Sequence, residues 1–532
     1  MKIETYAHPI LSCKDAKQLE KRLLADEAGE WAVMKRAGDA IARGLAADYT
    51  ELRPFPERLR VLALVGKGHN GGDALLACGK LLAEYPRAQV DLILASASEA
   101  LKPLTARALE GLEGRVRQHL FLSGSVEEAT LLLKTIAAGQ SFHICIDGLL
   151  GMDFQAPLRS PISSLIEAVN QFKKIDLRAS VDLPTGLGDD PSELKFQADF
   201  SYATGIVKRP LFEGIADGGR VRYLDLGFFK VDSVDTFETP EFVLREAVLQ
   251  PLNRLRPALS DKRQFGHLFV IGGSAYMPGA LLMAVKAAVR SGVGLITAFV
   301  PESVAASLAA QVPEAMWIPW PETTNGTLSP RALPLLMDRI GRASAVLVGP
   351  GMGNDRNTEL LAQEIVAKAD CPVIADADAL RSRVIEVGAK RKSGFGEFVI
   401  TPHMGEFMRV AKIPEPDSSS ETLLGFSSVY KVITVLKGSN TRICDGESIL
   451  FNTTGGPVLS RGGSGDLLAG LIGGMVAQNN ENVLLAVARG CMLHGLAAQY
   501  LARAKGQVVV RTTQLLDYLP EVLRSLGGDA DR

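Results

Sequence analysis

The sequence predicts an α/β protein built from two three-layer αβα domains. Two series of apolar, strand-like runs alternate with helix-like runs, the first over residues 60–186 and the second over residues 266–438. Such alternation is typical of mostly parallel sheets covered by helices on both faces. A length of 532 residues also exceeds what one hydrophobic core serves, and 47% hydrophobic residues are enough to fill two cores.

The first series supplies four strand candidates. They read RVLALVG (60–66), QVDLILAS (89–96), SFHICIDG (141–148) and ASVDLPTG (179–186). Before them, residues 14–49 carry helical periodicity, and we expect a break in this helical stretch near Gly29.

The second series supplies six strand candidates, and a segment without a strong strand pattern separates it from the first series. The six read GHLFVIGG (266–273), GLITAFV (294–300), SAVLVGPG (344–351), CPVIADAD (371–378), EFVITPH (397–403) and KVITVLKG (431–438). We place the domain boundary near Thr236, which gives domains over residues 1–235 and 236–532. Residues 280–300 are apolar but contain two cations and two glycines, so they predict a helix, a turn and a strand rather than a membrane span.

Composition excludes several classes of protein. The 58 Lys and Arg residues nearly balance the 60 Asp and Glu residues, and the net charge of −2 argues against broad electrostatic capture of nucleic acid. The six cysteines are scattered without a CxxC pair, which favours buried, reduced thiols. The first 22 residues lack the apolar run of a secretory signal, so we expect a cytoplasmic protein that does not bind membranes.

A glycine-rich loop follows the first strand and opens a helix. It reads Gly66-Lys67-Gly68-His69-Asn70-Gly71-Gly72-Asp73. Glycine allows backbone N–H groups to approach an anion at a helix start, so the loop predicts a phosphate-bearing ligand. The acidic residue that a dinucleotide fingerprint requires at the end of the second strand is absent, and a plain turn without a ligand remains the alternative.

Two later strands of this series end in aspartate. Asp147 and Asp182 fall at strand ends, and Thr185 follows Asp182 closely. The carboxyl ends of parallel strands share one sheet edge, so these residues and Asn70 are expected to converge. Their oxygen atoms suit a hard cation such as K⁺, Na⁺ or Mg²⁺. Capping of a turn is the alternative for each aspartate taken alone.

The glycine-rich loop and these two strand ends resemble those of the epimerase of hydrated NAD(P)H. The resemblance extends from the N-terminus to about Phe229. It implies a Rossmann-like domain that interconverts R- and S-NAD(P)HX, with Asp182 as the acid/base group. It also implies K⁺ as a cofactor. The implied K⁺ ligands are Asn70, Asp147 and Thr185. The implied NAD(P)HX-binding residues are His69, Asn70, Gly71, Gly72, Asp73, Gly151 and Asp182.

The chain departs from that family's pattern at two places. His69 stands where asparagine is usual, and Leu150-Gly151-Met152-Asp153-Phe154 stands where the family reads FGTGL. Asp153 adds a negative charge where a phosphate is expected, which disfavours ligand binding and puts full epimerase activity in question.

The second series contains the stronger signal. Gly462-Gly463-Ser464-Gly465-Asp466 leads into a helix, with Asp466 expected in its first turn. Free N–H groups and the helix dipole at that place favour a transferring phosphoryl group, and Asp466 is suited to accept a proton from the attacking hydroxyl. A simple N-capping turn is the alternative. His403 also lies at a strand end, where a structural role and a ligand role are equally compatible with the sequence.

The motifs GPGMG, DADAL, TPHMGE, KGSNT and GGSGD together resemble the ADP/ATP-dependent NAD(P)H-hydrate dehydratase, a ribokinase-like family. The resemblance covers about residues 240–522. It implies phosphorylation of the C6 hydroxyl of S-NAD(P)HX by ADP or ATP with Asp466 as base, then loss of phosphate, with Mg²⁺ offsetting nucleotide charge. The implied NAD(P)HX-binding residues are Ala280, Gly353, His403 and Asp466. The implied ADP/AMP-binding residues are Lys437, Gly438, Ser439, Asn440, Thr441 and Gly465.

The sequence therefore predicts a bifunctional repair enzyme whose partners are the small molecules NADHX, NADPHX, ADP and ATP. A homo-oligomer is the family expectation. The alternative is a ribokinase-like small-molecule kinase with a non-catalytic nucleotide-binding N-terminal domain. The sequence does not choose between ADP and ATP, or between NADHX and NADPHX.

Overall fold

The computed structural model describes residues 3–24, 26–213, 218–230, 238–478 and 482–526. It divides into two compact units. The N-terminal unit spans His8–Thr239, and the C-terminal unit spans Pro240–Arg532 together with Met1–Ala7. The predicted boundary between residues 235 and 236 lies outside the described residues.

The N-terminal unit is built around a parallel seven-stranded sheet. Seven strands form this sheet and two more pair beside it. In chain order the nine are β1 (Ala7–Leu11), β2 (Arg60–Val65), β3 (Gln89–Leu94), β4 (Arg117–Leu120), β5 (Phe142–Gly148), β6 (Ile175–Val181), β7 (Phe200–Thr204), β8 (Val207–Lys208) and β9 (Arg220–Leu224). The sheet order is β4-β3-β2-β5-β6-β7-β9, and β1 pairs separately with β8. All six residues of β2 are buried, as expected of a strand covered on both faces.

The helices of this unit cover both faces of the sheet. They are α1 (Cys13–Leu23), α2 (Glu27–Tyr49), α3 (His69–Glu84), α4 (Pro103–Glu110), α5 (Val126–Ala137), α6 (Ile162–Gln171) and α7 (Pro210–Glu213). Separate apolar clusters lie on the two sides of β2: Val61, Ala63 and Val65 belong to one, Leu62 and Leu64 to the other.

The predicted helix break at Gly29 is misplaced by a few residues. Helix α1 ends at Leu23 and α2 begins at Glu27, with the Asp26 carboxylate accepting a hydrogen bond from the N–H of Gly29. The physical reason is that an aspartate cap satisfies free N–H groups of the first turn, so it fixes the helix start ahead of the glycine.

The C-terminal unit contains a larger sheet. Its strands are β10 (Glu241–Leu244), β11 (His267–Ile271), β12 (Leu295–Pro301), β13 (Met316–Trp320), β14 (Ala345–Val348), β15 (Val373–Ala375), β16 (Phe398–Ile400), β17 (Ile433–Leu436), β18 (Thr441–Cys444) and β19 (Ile449–Asn452). They follow the order β13-β12-β11-β14-β15-β16-β17-β18-β19-β10. Pairing is parallel except that β18 runs antiparallel to both neighbours.

The helices of this unit are α8 (Pro278–Arg290), α9 (Glu302–Ala309), α10 (Leu333–Met337), α11 (Arg356–Lys368), α12 (Ser382–Gly388), α13 (Met404–Ala411), α14 (Ser420–Tyr430), α15 (Ser464–Gln478), α16 (Val483–Lys505) and α17 (Leu519–Ser525). Helix α8 and strand β12 confirm the predicted helix, turn and strand in the apolar stretch. Helix α16 is long and apolar enough to cross a membrane, and almost all of it is buried within the protein. Its apolar side chains belong to the core of the unit.

Two candidate active sites

A cavity of about 470 Å³ opens in the N-terminal unit where strands β2, β5 and β6 end. The predicted residues His69, Asn70, Asp73, Gly151 and Asp182 line it. Gly71 and Gly72 lie beside it in the first turn of α3. A side chain at Gly71 would clash with the carbonyl oxygen of Gly66, 2.2 Å from the ideal Cβ position, so only glycine permits this tight turn.

The three residues implied as cation ligands lie around one loop. The Thr185 hydroxyl donates to Asp147 Oδ1 at 2.7 Å and accepts from the N–H of Leu150 at 3.1 Å. The Leu150 carbonyl in turn accepts from Asn70 Nδ2 at 2.9 Å. Asp147 is fully buried, and burial raises the pKa of its carboxyl to about 6. Within the described residues no cationic side chain bonds this carboxyl, so a cation would stabilise its charge.

Asp182 is held by a lysine that the sequence analysis did not single out. Lys208 is fully buried, and its Nζ lies 2.6 Å from Asp182 Oδ1. The N–H and hydroxyl of Thr204 also donate to Oδ1, both at 3.3 Å. Asp182 adopts a left-handed backbone conformation with φ of 63°, which costs a non-glycine residue free energy and is typical of functional sites.

Two further carboxyl groups belong to the same cluster. Glu20 lies 3.8 Å from Lys208 Nζ, and burial raises the pKa of Glu20 to about 7 although the lysine opposes the shift. Burial and the charge of Asp182 raise the pKa of Asp73 well above its ordinary value. Glu20 and Lys208 were missed because neither lies in a glycine-rich loop. The lysine that ends an apolar run at residues 203–208 was the one available signal.

Lysine side chains line the mouth of the cavity, and one of them pairs with Asp153, the unusual negative charge of the loop after β5. Asp153 forms an ion pair with Lys17, and both side chains are mostly exposed. Further cavity-lining cations are Lys21, Lys67 and Lys102. Asp153 is therefore not an isolated negative charge, and the mouth offers cations to a phosphate-bearing ligand. His69 lies 3.9 Å from Glu30, and burial lowers the pKa of His69.

The candidate site of the C-terminal unit lies at the start of α15. Helix α15 begins at Ser464 with Asp466 in its first turn, as predicted. A Cβ at Gly465 would lie 3.3 Å from Lys437 Nζ, so the ammonium stands directly at the helix start. Burial and the charge of Asp376 raise the pKa of Asp466 to about 6, against the opposing charge of Lys437.

Acidic side chains hold Lys437 in place. Its Nζ lies 3.0 Å from Asp376 Oδ1 and 3.8 Å from Glu406 Oε2. Thr401 donates to the same Asp376 oxygen at 2.6 Å. The rest of the predicted nucleotide loop follows Lys437, with Gly438 and Ser439 exposed and Asn440 buried, and Thr441 begins β18. Asp376 and Glu406 were not singled out, although both stand within motifs quoted from the sequence.

His403 has the structural role that the sequence left open, and most of its ring remains exposed. It caps α13, where its Nδ1 accepts from the N–H of Gly405 at 3.0 Å. Its side chain is 62% exposed, and its Nε2 lies 3.6 Å from Glu406 Oε2. A cap and a ligand contact are therefore compatible on opposite sides of one ring.

The two remaining predicted residues are Gly353, on the loop after β14, and Ala280, at the start of α8. The N–H of Gly353 donates to Asp378 Oδ2 at 2.9 Å. Ala280 in the first turn of α8 lies against Gly351, with 3.1 Å between its Cβ and the ideal Cβ position there. Within the described residues, no group of three or more His, Cys, Asp or Glu side chains is arranged to hold a metal ion.

Comparison with known proteins matches each unit to a family. Residues 268–521 match a family described as NAD(P)H-hydrate dehydratase, and residues 30–209 match one described as YjeF-related protein N-terminus. The bifunctional NAD(P)H-hydrate repair enzyme Nnr of Moorella thermoacetica is 31% identical over 479 residues, 88% of each chain. The Nnr enzyme of Gloeobacter violaceus is 32% identical over 513 residues, 93% of each chain.

Among solved structures, the ADP/ATP-dependent NAD(P)H-hydrate dehydratase from Bacillus subtilis, co-crystallized with ATP and Mg²⁺, is similar to the C-terminal part. It is 29% identical with a TM-score of 0.44, and the match covers 51% of this chain and 93% of that one.

Proposed function

The chain belongs to the family of bifunctional NAD(P)H-hydrate repair enzymes, and from that premise we propose how its two units divide the work. The enzyme epimerises R- and S-NAD(P)HX and dehydrates the S epimer to NAD(P)H at the expense of ADP or ATP. We assign epimerisation to residues 1–235 and dehydration to residues 236–532. The observation that carries the second assignment is the meeting of Lys437, Asp466 and the start of α15.

In the dehydratase unit, Asp466 takes the proton of the C6 hydroxyl as that oxygen attacks the terminal phosphoryl group of ADP or ATP. The free N–H groups of α15 and the ammonium of Lys437 stabilise negative charge on the phosphoryl oxygens. Loss of phosphate from C6 together with a proton from C5 then restores the dihydropyridine. A pKa of about 6 leaves Asp466 largely ionised at neutral pH and still basic enough to accept a proton.

Ligand contacts in this unit are proposed residue by residue. Ala280, Gly353, His403 and Asp466 bind NAD(P)HX, and Lys437, Gly438, Ser439, Asn440, Thr441 and Gly465 bind the adenine nucleotide. Mg²⁺ supplies charge neutralisation on the nucleotide phosphates when it is bound. Because the described residues hold no cluster of three metal-ligating side chains, we expect the ion to enter with the nucleotide.

In the epimerase unit, Asp182 is the acid/base group, and Lys208 holds its charge. Substrate binding is proposed for His69, Asn70, Gly71, Gly72, Asp73 and Gly151. K⁺ is proposed to bind among Asn70, Asp147 and Thr185. The buried Asp147 carboxyl, which no cationic side chain bonds within the described residues, supports a cation there.

One assay tests the proposal as a whole. A mixture of R- and S-NADHX is incubated with the full chain, K⁺, Mg²⁺ and ADP or ATP, and the near-ultraviolet absorbance of the regained dihydropyridine is followed. We expect both epimers to be converted to NADH with one nucleotide consumed for each. A stable phosphorylated product would instead indicate the kinase alternative, and conversion of the S epimer alone would indicate a non-catalytic N-terminal unit.

We also propose a cytoplasmic homo-oligomer that binds neither nucleic acid nor membranes. The near-neutral charge of the chain supports the first exclusion, and the burial of the one described membrane-length helix supports the second.

A further inference from the structure

Asp73 is a buried carboxyl whose environment suits a neutral acid. The residue is 8% exposed, and its Oδ1 has no hydrogen-bond partner among the described residues. Asp73 also lines the N-terminal cavity, so its carboxyl group borders the space that a bound ligand would occupy. An ionised carboxylate in such a place would need a cation or several donors, whereas a protonated one does not.

Asp182 in the same cavity has the opposite surroundings. Its Oδ1 lies 2.6 Å from the Lys208 ammonium and accepts two hydrogen bonds from Thr204. These contacts stabilise the ionised form. Burial raises the pKa of Asp73, the charges of Asp182 and Glu20 raise it further, and Lys208 opposes the shift. The surroundings of Asp182 therefore favour a carboxylate, whereas those of Asp73 favour the neutral acid.

We propose that Asp73 is a catalytic residue of the epimerisation, the proton donor that works with Asp182 as proton acceptor. The inference rests on the proposed function of the N-terminal unit and deepens it. It gives Asp73 a chemical role beyond the hydrogen bond that substrate binding alone requires.

The step we assign opens and closes the tetrahydropyridine ring. Asp182 takes the proton of the C6 hydroxyl while the C6–N1 bond breaks and its electron pair moves onto N1. Asp73 gives its proton to N1, which leaves an aldehyde at C6 and an N–H at N1. The aldehyde rotates to present its other face, and ring closure returns the N1 proton to Asp73 and the proton on Asp182 to the C6 oxygen.

This route accounts for why two carboxyl groups in opposite states are needed. The enzyme ends each turnover with Asp73 protonated and Asp182 ionised, whichever epimer enters. Breaking the C6–O bond instead would leave the two protonation states exchanged after one turnover. The unequal surroundings of the two residues favour the route that restores them.

The substitution Asp73→Asn separates proton donation from binding. Asparagine matches the shape and neutrality of the protonated acid and still offers a hydrogen-bond donor, but it does not serve as the acid. R-NADHX is incubated with the full chain, K⁺ and no adenine nucleotide, and the appearance of the S epimer is followed by proton NMR at C6. We expect the enzymatic rate to fall roughly 100-fold or more, with the midpoint of thermal unfolding unchanged.

The outcomes separate this inference from the proposed function. If wild-type protein does not exceed the buffer rate, the epimerase assignment itself fails. If wild-type protein is active and Asp73→Asn retains its rate, Asp73 is a binding residue only and the inference is overturned. Should Asp73→Asn unfold at lower temperature, Asp73→Glu decides: activity above that of Asp73→Asn supports the acid, and a folded but equally inactive Glu variant overturns it.

Glu57→Gln removes an exposed carboxyl ahead of β2, away from the cavity, and serves as the matched control.

Discussion

Both units place a lysine among carboxylates, but in different settings. Lys208 is fully buried 2.6 Å from Asp182, whereas the side chain of Lys437 is 20% exposed and lies 3.0 Å from Asp376. Lys437 also stands at the start of α15, where free N–H groups already attract anions. Lys208 is instead enclosed with the carboxyl groups of Asp182 and Glu20.

The difference shows how one pair of residue types supports two kinds of chemistry. A lysine enclosed with carboxylates fixes which of them are charged, and this suits proton transfer. A lysine at a helix start adds to an existing positive potential, and this suits a transferring phosphoryl group. The surroundings of the ion pair therefore decide what it does.

The largest expected effect comes from replacing the base of the C-terminal unit. Asp466→Asn removes the base, and we expect dehydration of S-NADHX to fall roughly 10²- to 10⁴-fold. NADH formation with ADP or ATP is the measurement, and R-to-S conversion measured without nucleotide is expected to persist. Loss of both activities would contradict separate sites. Asp338→Asn removes an exposed aspartate in the segment before β14 and is the control.

In the N-terminal unit we expect a similar loss of activity, but only towards the R epimer. Asp182→Asn removes the proton acceptor and leaves Lys208 without its closest counter-charge. We expect R-NADHX to persist, lost only by spontaneous epimerisation, while S-NADHX is repaired. Chromatographic separation of the two epimers over time provides the measurement, and equal loss on both would show that the assignment is wrong.

A pH profile sharpens the assignment of Asp466. Its pKa is about 6, raised from the ordinary range, and the base must be ionised to act. The value of kcat/KM for dehydration should therefore be constant above this pKa and fall about tenfold per pH unit below it. A profile that continues unchanged through pH 6 would exclude Asp466 as the group whose ionisation limits the rate.

The smallest effect concerns the loop charge at the cavity mouth. Asp153→Asn frees Lys17 and removes a negative charge near incoming phosphates. The pair is exposed and worth only about 0.2–1 kcal/mol, so we expect KM for R-NADHX to fall by about twofold to fivefold at low salt. The gain should shrink as ionic strength rises, because exposed charges are screened. An increase in KM would mean that the ion pair shapes the site instead of competing with the ligand.

Sequence was sufficient where local pattern decides structure. The alternation of apolar runs predicted the parallel sheets, and glycine-rich turns marked the starts of α3 and α15. Short strands at sheet edges were missed, as β4 shows: three of its four residues are exposed, so it has no apolar pattern.

Ion pairs between residues that are distant in the sequence were also missed. Asp182 and Lys208 are 26 residues apart, and Asp376 and Lys437 are 61 apart. Sheet order brings each pair together, so the neighbours of a residue in the sequence do not identify its partner. The protonation state of Asp73 depends likewise on burial and on three distant charges.

One feature of the C-terminal unit has a consequence for the order of folding. Tyr6 and Ala7 belong to the same apolar core as the side chains of α16, and the Tyr6 carbonyl accepts a hydrogen bond from the N–H of Arg245. A ribosome makes these two residues more than 200 positions before their partners. The N-terminal unit can close while synthesis continues, whereas the C-terminal core waits for α16. Epimerase capacity should accordingly appear on a growing chain before dehydratase capacity does.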